Sequence, residues 1–356
     1  MTDRPILAAM LSCSGAELTD FEKKIFSKYN PLGISLFARN IVDENQLKQL
    51  INQIKNAINR EDVLIAIDEE GGRVSRLKPI LKHGMVSAED LGNSSIKYSQ
   101  IHAILISEKM KKLGININYA PIVETISKNL SKVLESRCFS VSSRKTMSRA
   151  LAMAESYIKE GICPCLKHIP GHFSAMQDPH LSVLEADQSI TDIKKEISYL
   201  KKIETYPLAM TSHIKLNTID KNNPVSMSKK CILEIVRGYL KFDNFLMSDA
   251  IDMHALSGNI ADRTNGCLDA GLDAVCYCAG RENEIYDICA QKRFLTEKSL
   301  IRFANIKKVI HNKANRKDIS TLENLYMKEF QHRLNVEYSY DATEVLNKML
   351  EKGERL

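Results

Sequence analysis

From Lys167 to His180 the chain reads Lys-His-Ile-Pro-Gly-His-Phe-Ser-Ala-Met-Gln-Asp-Pro-His, with three histidines, a lysine and an aspartate in fourteen residues. Pro170, Gly171 and Pro179 interrupt the segment too often for one helix or strand, so it reads as a loop. The loop follows the apolar run Ile162-Cys163-Pro164-Cys165-Leu166, and a buried strand there would present these side chains to a ligand. Taken alone, it is equally a solvated polar turn. The decision comes from ionisable residues at the ends of other strands.

Short apolar or β-branched runs beginning near Ile6, Gly33, Val63, Ile115, Ile162, Leu208, Phe245 and Ala274 alternate with segments of helical period. These include Asp43 to Ile58, Ser142 to Glu160, Thr191 to Ile203, Ser228 to Leu240 and Asn259 to Ala270, several opening on a Ser, Asp or Asn cap. Eight strand–helix units predict an α/β protein, a single-domain (β/α)8 TIM barrel, with residues 303–356 as peripheral C-terminal helices. In such barrels chemistry is placed where strands end and loops begin. Asp68 follows the third strand, Asn118 the fourth, Lys167 and His168 the fifth, His213 the sixth and Asp249 the seventh. A cleft lined with carboxylates, cations and imidazoles suits a polyhydroxylated substrate.

Composition narrows the class. The 356 residues are 44 % hydrophobic, and the net charge of +6 comes from dispersed lysines without an aromatic-interleaved basic block, against nucleic acid. Nine cysteines without framework spacing point to a reducing compartment, and the location expected is cytoplasmic. Cys163/Cys165 and Cys276/Cys278, each two apart in apolar runs, read as small core residues on one strand face. Ile6 to Leu11 superficially imitates a lipoprotein leader before Ser12-Cys13, but Asp3 beside Arg4 and the short run favour a first core strand. No run is long and apolar enough to span a bilayer, and no membrane partner is expected.

In order and spacing, several motifs are similar to those of glycoside hydrolase family three β-N-acetylhexosaminidases of the bacterial single-barrel, cell-wall-recycling type. They are Gly33-Ile-Ser-Leu-Phe-Ala-Arg-Asn40, Asp68-Glu-Glu-Gly-Gly-Arg-Val-Ser-Arg-Leu77, Asn118-Tyr-Ala-Pro121, Arg137-Cys-Phe-Ser140, Lys167-His-Ile-Pro-Gly-His172, Asp178-Pro-His180, Met210-Thr-Ser-His213 and Ser248-Asp249. The resemblance covers about Ile6 to Gly280. It implies Asp249 as catalytic nucleophile, His180 as general acid/base paired with Asp178, and Asp68, Arg76, Arg137, Lys167 and His168 as holders of the terminal sugar, with His213 in support. It further implies a retaining exo-β-N-acetylglucosaminidase acting on peptidoglycan-derived fragments, with a small carbohydrate substrate and neither cofactor nor metal. Phe173, Pro179, Glu124 and Ala250 depart from the family pattern. The first two bear on the mobility of the acid/base loop.

The residue types suit these roles. A retaining glycosidase needs an ionised carboxylate to attack the anomeric carbon and a proton donor beside the leaving oxygen. Imidazole can donate and then accept a proton near neutrality, and Asp178 can orient it. Plainer roles compete: a cap for Asp249, an intraloop salt bridge for Asp68 and Arg76, and pairing with Glu135 for Arg137. Other functions on the same barrel are a metal-dependent hydrolase with His168, His172, His180 and Asp249 as ligands, a sugar-binding protein without catalysis if Phe173 fills the site, and a phosphorylase.

Overall fold

A computed structural model describes residues 4–126, 134, 136–173, 184–313 and 318–334. Eight parallel strands form the barrel: β1 (Leu7–Ser12), β2 (Pro31–Leu36), β3 (Leu64–Ile67), β4 (Ile117–Asn118), β5 (Cys163–Pro164 continued by Leu166–Ile169), β6 (Leu208–Thr211), β7 (Phe245–Ala250) and β8 (Ala274–Cys276). Each lies within two residues of its expected start, and β1 occupies the leader-like run. The ring closes through β5. Its first part pairs with β4 and its second with β6, so the order runs β5-β4-β3-β2-β1-β8-β7-β6-β5.

The helices follow the sequence pattern. They are α1 (Asp20–Tyr29), α2 (Glu44–Ile58), α3 (Ile96–Leu113), α4 (Ser143–Lys159), α5 (Ile190–Glu196), α6 (Lys229–Cys231 running into Ile232–Tyr239), α7 (Ile260–Asp269), α8 (Glu282–Ala290), α9 (Glu297–Ile310) and α10 (Ile319–Phe330). Asp43, Ser142, Ser228 and Asn259 cap α2, α4, α6 and α7 as expected, each accepting first-turn N–H groups. The helix expected over 191–203 instead divides after Glu196 into a tighter turn, Ser198–Ile203. Its buried positions explain the change, since Ile193 and Ile197 are four apart whereas Ile197, Leu200 and Ile203 are three apart, the period of a 3₁₀ turn. β4 starts later than Ile115 because Ile115 still bonds the end of α3.

Inside the barrel the side chains follow the two-residue period of a strand. Leu64 and Ala66 of β3, Cys163 and Cys165 of β5, Phe245 and Met247 of β7, and Ala274 and Cys276 of β8 belong to one interior cluster. The next inward steps at the carboxyl ends are Asp68, Lys167, Asp249 and Cys278. Alternation thus turns an apolar plug into a polar floor one layer higher. Beneath the plug, Leu295, Phe303 and Ile306 join the interior cluster from the opposite end. Residue 303 was expected to open a peripheral segment, but Phe303 and Ile306 are buried and close the barrel base. Farther along, Tyr326 and Phe330 of α10 are buried, and the Tyr326 hydroxyl lies 2.7 Å from His102 Nδ1 of α3.

Candidate active site

The polar floor is an ion-pair network. Lys167 Nζ stands 2.6 Å from Asp68 Oδ1 and 2.8 Å from Glu70 Oε1. Arg137 grips Glu70 with both arms of its guanidinium, Nε to Oε2 at 2.9 Å and Nη2 to Oε1 at 2.8 Å. Burial opposes charge on Glu70, yet Arg137 and Lys167 outweigh it and hold the carboxyl well below its ordinary range. Burial likewise disfavours the Lys167 cation, and Asp68 and Glu70 overcome it, so its pKa is raised. Arg137 therefore pairs with Glu70, and Asp68 pairs with Lys167 across the barrel, while Glu135 lies outside the described residues.

The segment carrying Asp68 and Glu70 is fixed by Asn118 at the end of β4. Its Oδ1 accepts the Glu69 N–H at 3.0 Å, and its Nδ2 donates to the Glu69 carbonyl at 2.9 Å. Gly71 follows at φ +88°, and a Cβ there would meet the Val86 carbonyl oxygen at 2.3 Å. Gly71 thus serves close backbone packing. Arg76 is buried, and its positive charge reaches the Glu69 carboxyl, which burial nevertheless pushes up to about 7.

Asp249 ends the apolar part of β7, where Oδ1 accepts the Ala250 N–H at 2.8 Å. Burial raises its pKa, but His168, His213, the Ala250 amide and Lys167 together bring it down to about 2. The carboxylate is therefore ionised at neutral pH. His213 supports it indirectly. Its Nε2 lies 3.0 Å from the Ala250 carbonyl, which can only accept, so Nε2 carries the proton and Nδ1 accepts from Ser226 Oγ at 2.7 Å. Burial lowers the His213 pKa, in keeping with a neutral ring that pins the backbone beside Asp249.

Sequence reasoning gave Glu124 no role, noting it only as a departure. The structure makes it a hub: its carboxylate takes the His168 backbone N–H at 3.3 Å, His168 Nδ1 at 2.8 Å, the His172 backbone N–H at 2.6 Å and His172 Nδ1 at 3.0 Å from either oxygen. Although burial opposes it, the two imidazoles hold Glu124 well below the usual carboxylate range. An ionised carboxylate only accepts, so both Nδ1 atoms carry protons. Burial lowers the His168 pKa, leaving Nε2 as a bare acceptor 3.7 Å from Asp249 Oδ2. His172 goes the other way, because the Glu124 charge overcomes burial and raises it. Glu70 was likewise missed, although it stands inside the quoted acidic run after β3.

Among the described residues, Glu124, His168 and His172 bring three ligand-type atoms within 4.8 Å of one another. An ion there would have to replace the hydrogen bonds that now occupy the carboxylate. Phe173 adopts φ +53°, the left-handed region that explains a glycine at such a position. Its ring is buried with the hydrophobic shell containing Ile169, Leu184 and Ile214. Asp178 and His180 lie outside the described residues.

Residues 7–310 match the family model described as the glycosyl hydrolase family 3 N terminal domain. A protein called beta-hexosaminidase from Bordetella avium strain 197N is 28 % identical over 282 residues, covering 76 % of this chain and 79 % of its own. Another of that name, from Idiomarina loihiensis, is 28 % identical over 287 residues, covering 78 % and 85 %. The crystal structure of NagZ from Neisseria gonorrhoeae, in complex with N-trifluoroacetyl-D-glucosamine, superposes with a TM-score of 0.80. It is 22 % identical and covers 91 % of this chain and 98 % of its own. At that identity the likeness establishes the barrel fold.

Proposed function

Because this chain belongs to glycosyl hydrolase family 3, we propose that it is a retaining exo-β-N-acetylglucosaminidase that works as one catalytic barrel and forms a glycosyl-Asp249 intermediate. The observation that carries this reading is the ionised Asp249 carboxylate, partly exposed at the carboxyl end of β7 beside His168. In the first step an Asp249 oxygen attacks the anomeric carbon while the bond to the leaving oxygen breaks, and His180, oriented by Asp178, protonates that oxygen. In the second step His180 removes a proton from water, which attacks the same carbon and releases Asp249. Two inversions give net retention.

The surrounding groups bind the terminal sugar. Asp68 accepts from sugar hydroxyls while Lys167 and Arg137 donate, and the bare Nε2 of His168 accepts from another hydroxyl. Arg76 contributes from its buried position beside Glu69. The names of the curated relatives and the glucosamine derivative bound to the Neisseria protein support an N-acetylated hexose. The finer substrate, a peptidoglycan-derived fragment handled in the cytoplasm, rests on the likeness of the motifs to the cell-wall-recycling type.

Turnover of an aryl β-N-acetylglucosaminide beside the matching glucoside, with and without phosphate, tests the reading. Preferred release from the acetamido sugar, to water and with retention, is expected. Equal rates on the two sugars, an inverted product or strict phosphate dependence would contradict it.

A further inference from the structure

β8 continues its inward alternation into two thiols. Cys276 lies in the interior cluster, and Cys278 packs against it one step closer to the active-site end. Their Sγ atoms are 3.8 Å apart. Cys276 is buried, whereas Cys278 is partly exposed. The backbone fixes both: the Cys276 N–H donates to Ser248 Oγ at 3.0 Å, the Cys278 N–H to Asp252 Oδ1 at 2.8 Å, and Arg39 Nη2 to the Cys278 carbonyl at 2.6 Å. Neither sulfur has a part in the proposed hydrolysis.

We propose that Cys276 and Cys278 form a two-thiol clamp for a monosubstituted trivalent arsenical, and that filling the clamp closes the sugar pocket. The clamp stands on geometry, while its effect on turnover rests on the proposed glycosidase reading.

Three occupants suit a thiol pair, and the geometry separates them. A disulfide must bring the sulfurs to about 2.05 Å, and alternate strand residues sit about 6.6 Å apart at Cα, near the upper limit of about 6.8 Å for a bridge. β8 is held on both sides by β1 and β7, which resists that closure. A structural zinc ion takes four ligands. Among the described residues, the group of three metal-type ligands lies elsewhere, at Glu124, His168 and His172. A monosubstituted arsenic(III) centre takes two sulfur ligands and keeps its carbon substituent, so the pair meets its whole demand, and soft sulfur favours soft centres. The sulfurs are joined through arsenic and need not meet.

The chemistry balances without a redox partner. Each thiol gives up its proton, two S–As bonds replace the As=O bond, and the oxygen leaves with both protons as one water. Arsenic stays trivalent. The Cys278 thiol is pushed well up, first by its contact with Cys276 and by burial, and also by the nearby charges of Asp252 and Asp68. Cys278 is the inward step past β8 in the same layer as Asp68, Lys167 and Asp249, and it is partly exposed, so an arsenic held there stands at the floor of the space assigned to the sugar.

The test treats the full chain with phenylarsine oxide and reads intact mass, peptide map and turnover. One phenylarsenic per chain is expected on the peptide containing Cys276 and Cys278, resistant to a monothiol and reversed by a dithiol. Excess N-acetylglucosamine should slow its formation, and turnover should be lost as it forms. Cys278→Ser and Cys276→Ala should each abolish the bridged adduct. Cys278 is the more exposed, so its variant decides the matter if the buried one does not fold. An adduct mapped elsewhere, or one that persists in Cys278→Ser, overturns the clamp. A correctly placed adduct with full turnover overturns the coupling to the pocket. If the untreated protein lacks glycosidase activity, the mass readout still decides the clamp, so the two readings fail separately.

Discussion

Replacing Glu124 with glutamine removes one charge and turns one acceptor oxygen into a donor, at a site that four N–H groups now address. If the amide nitrogen takes the Oε2 position it faces the His172 N–H, which now sits 2.6 Å from that oxygen. If it takes the Oε1 position it faces both the backbone N–H and Nδ1 of His168. His168 then relieves the clash by moving its proton to Nε2, which stops that atom accepting from the sugar. A buried donor left facing a donor costs about 1–3 kcal/mol. At about 1.36 kcal/mol per decade, a penalty of that size on the transition state lowers kcat/KM about 5- to 160-fold.

The pH dependence has a defined sign. Glu124 raises the His172 pKa, so Glu124→Gln should move the His172 titration to lower pH. In the native protein the stability from raised His172 is fully present below the ordinary histidine pKa and is lost as pH rises through the folded value. The depressed Glu124 contributes stability above the usual carboxylate range, lost as pH falls through its folded pKa. Steady-state kinetics on an aryl β-N-acetylglucosaminide across pH, with thermal melts and NMR titration of the histidines, measure both effects. Glu124→Asp should recover part of the rate, because the charge remains. Wild-type kcat/KM and unmoved titrations in Glu124→Gln would refute the reasoning.

Lys167→Met leaves Asp68 and Glu70 without the cation between them, and removing one member of a buried pair typically costs about 3–5 kcal/mol. Denaturant unfolding should show a loss of that order together with weaker sugar binding, and a loss below about 1 kcal/mol would mean the network is solvated. His180→Ala should slow cleavage of disaccharides far more than of activated aryl glycosides, since general acid assistance is worth about 10²–10⁴-fold where the leaving group is poor. Azide should rescue the second step, and equal losses across a leaving-group series without rescue would reduce His180 to a binding residue. Asp249→Ala should abolish turnover with an almost unchanged circular dichroism spectrum, and substantial residual turnover would move the nucleophile elsewhere.

The barrel was legible in the sequence because parallel strands buried on both faces stand out as apolar runs, and an ionisable residue directly after such a run marks a strand end. Asp68, Lys167 and Asp249 were found that way. Glu124 was not, since its importance lies in reaching two imidazoles 44 and 48 residues away, and no local period encodes that distance. Glu70 was hidden for a similar reason: its partner Arg137 comes from 67 residues on, and the acidic run itself does not show that pairing. The base of the barrel was misread at Phe303 and Ile306 because their helix is amphipathic like any surface helix, and only the open barrel end shows what its apolar face covers.

The central claim is a covalent bond from Asp249 to the sugar. A 2-fluoro or 5-fluoro glycoside that forms the intermediate faster than it hydrolyses, followed by peptide mass spectrometry, tests it most directly. The account predicts one sugar per chain, on the peptide that contains Asp249, with activity returning as the adduct turns over. A label on another carboxylate, or full inactivation with no covalent adduct, would contradict it.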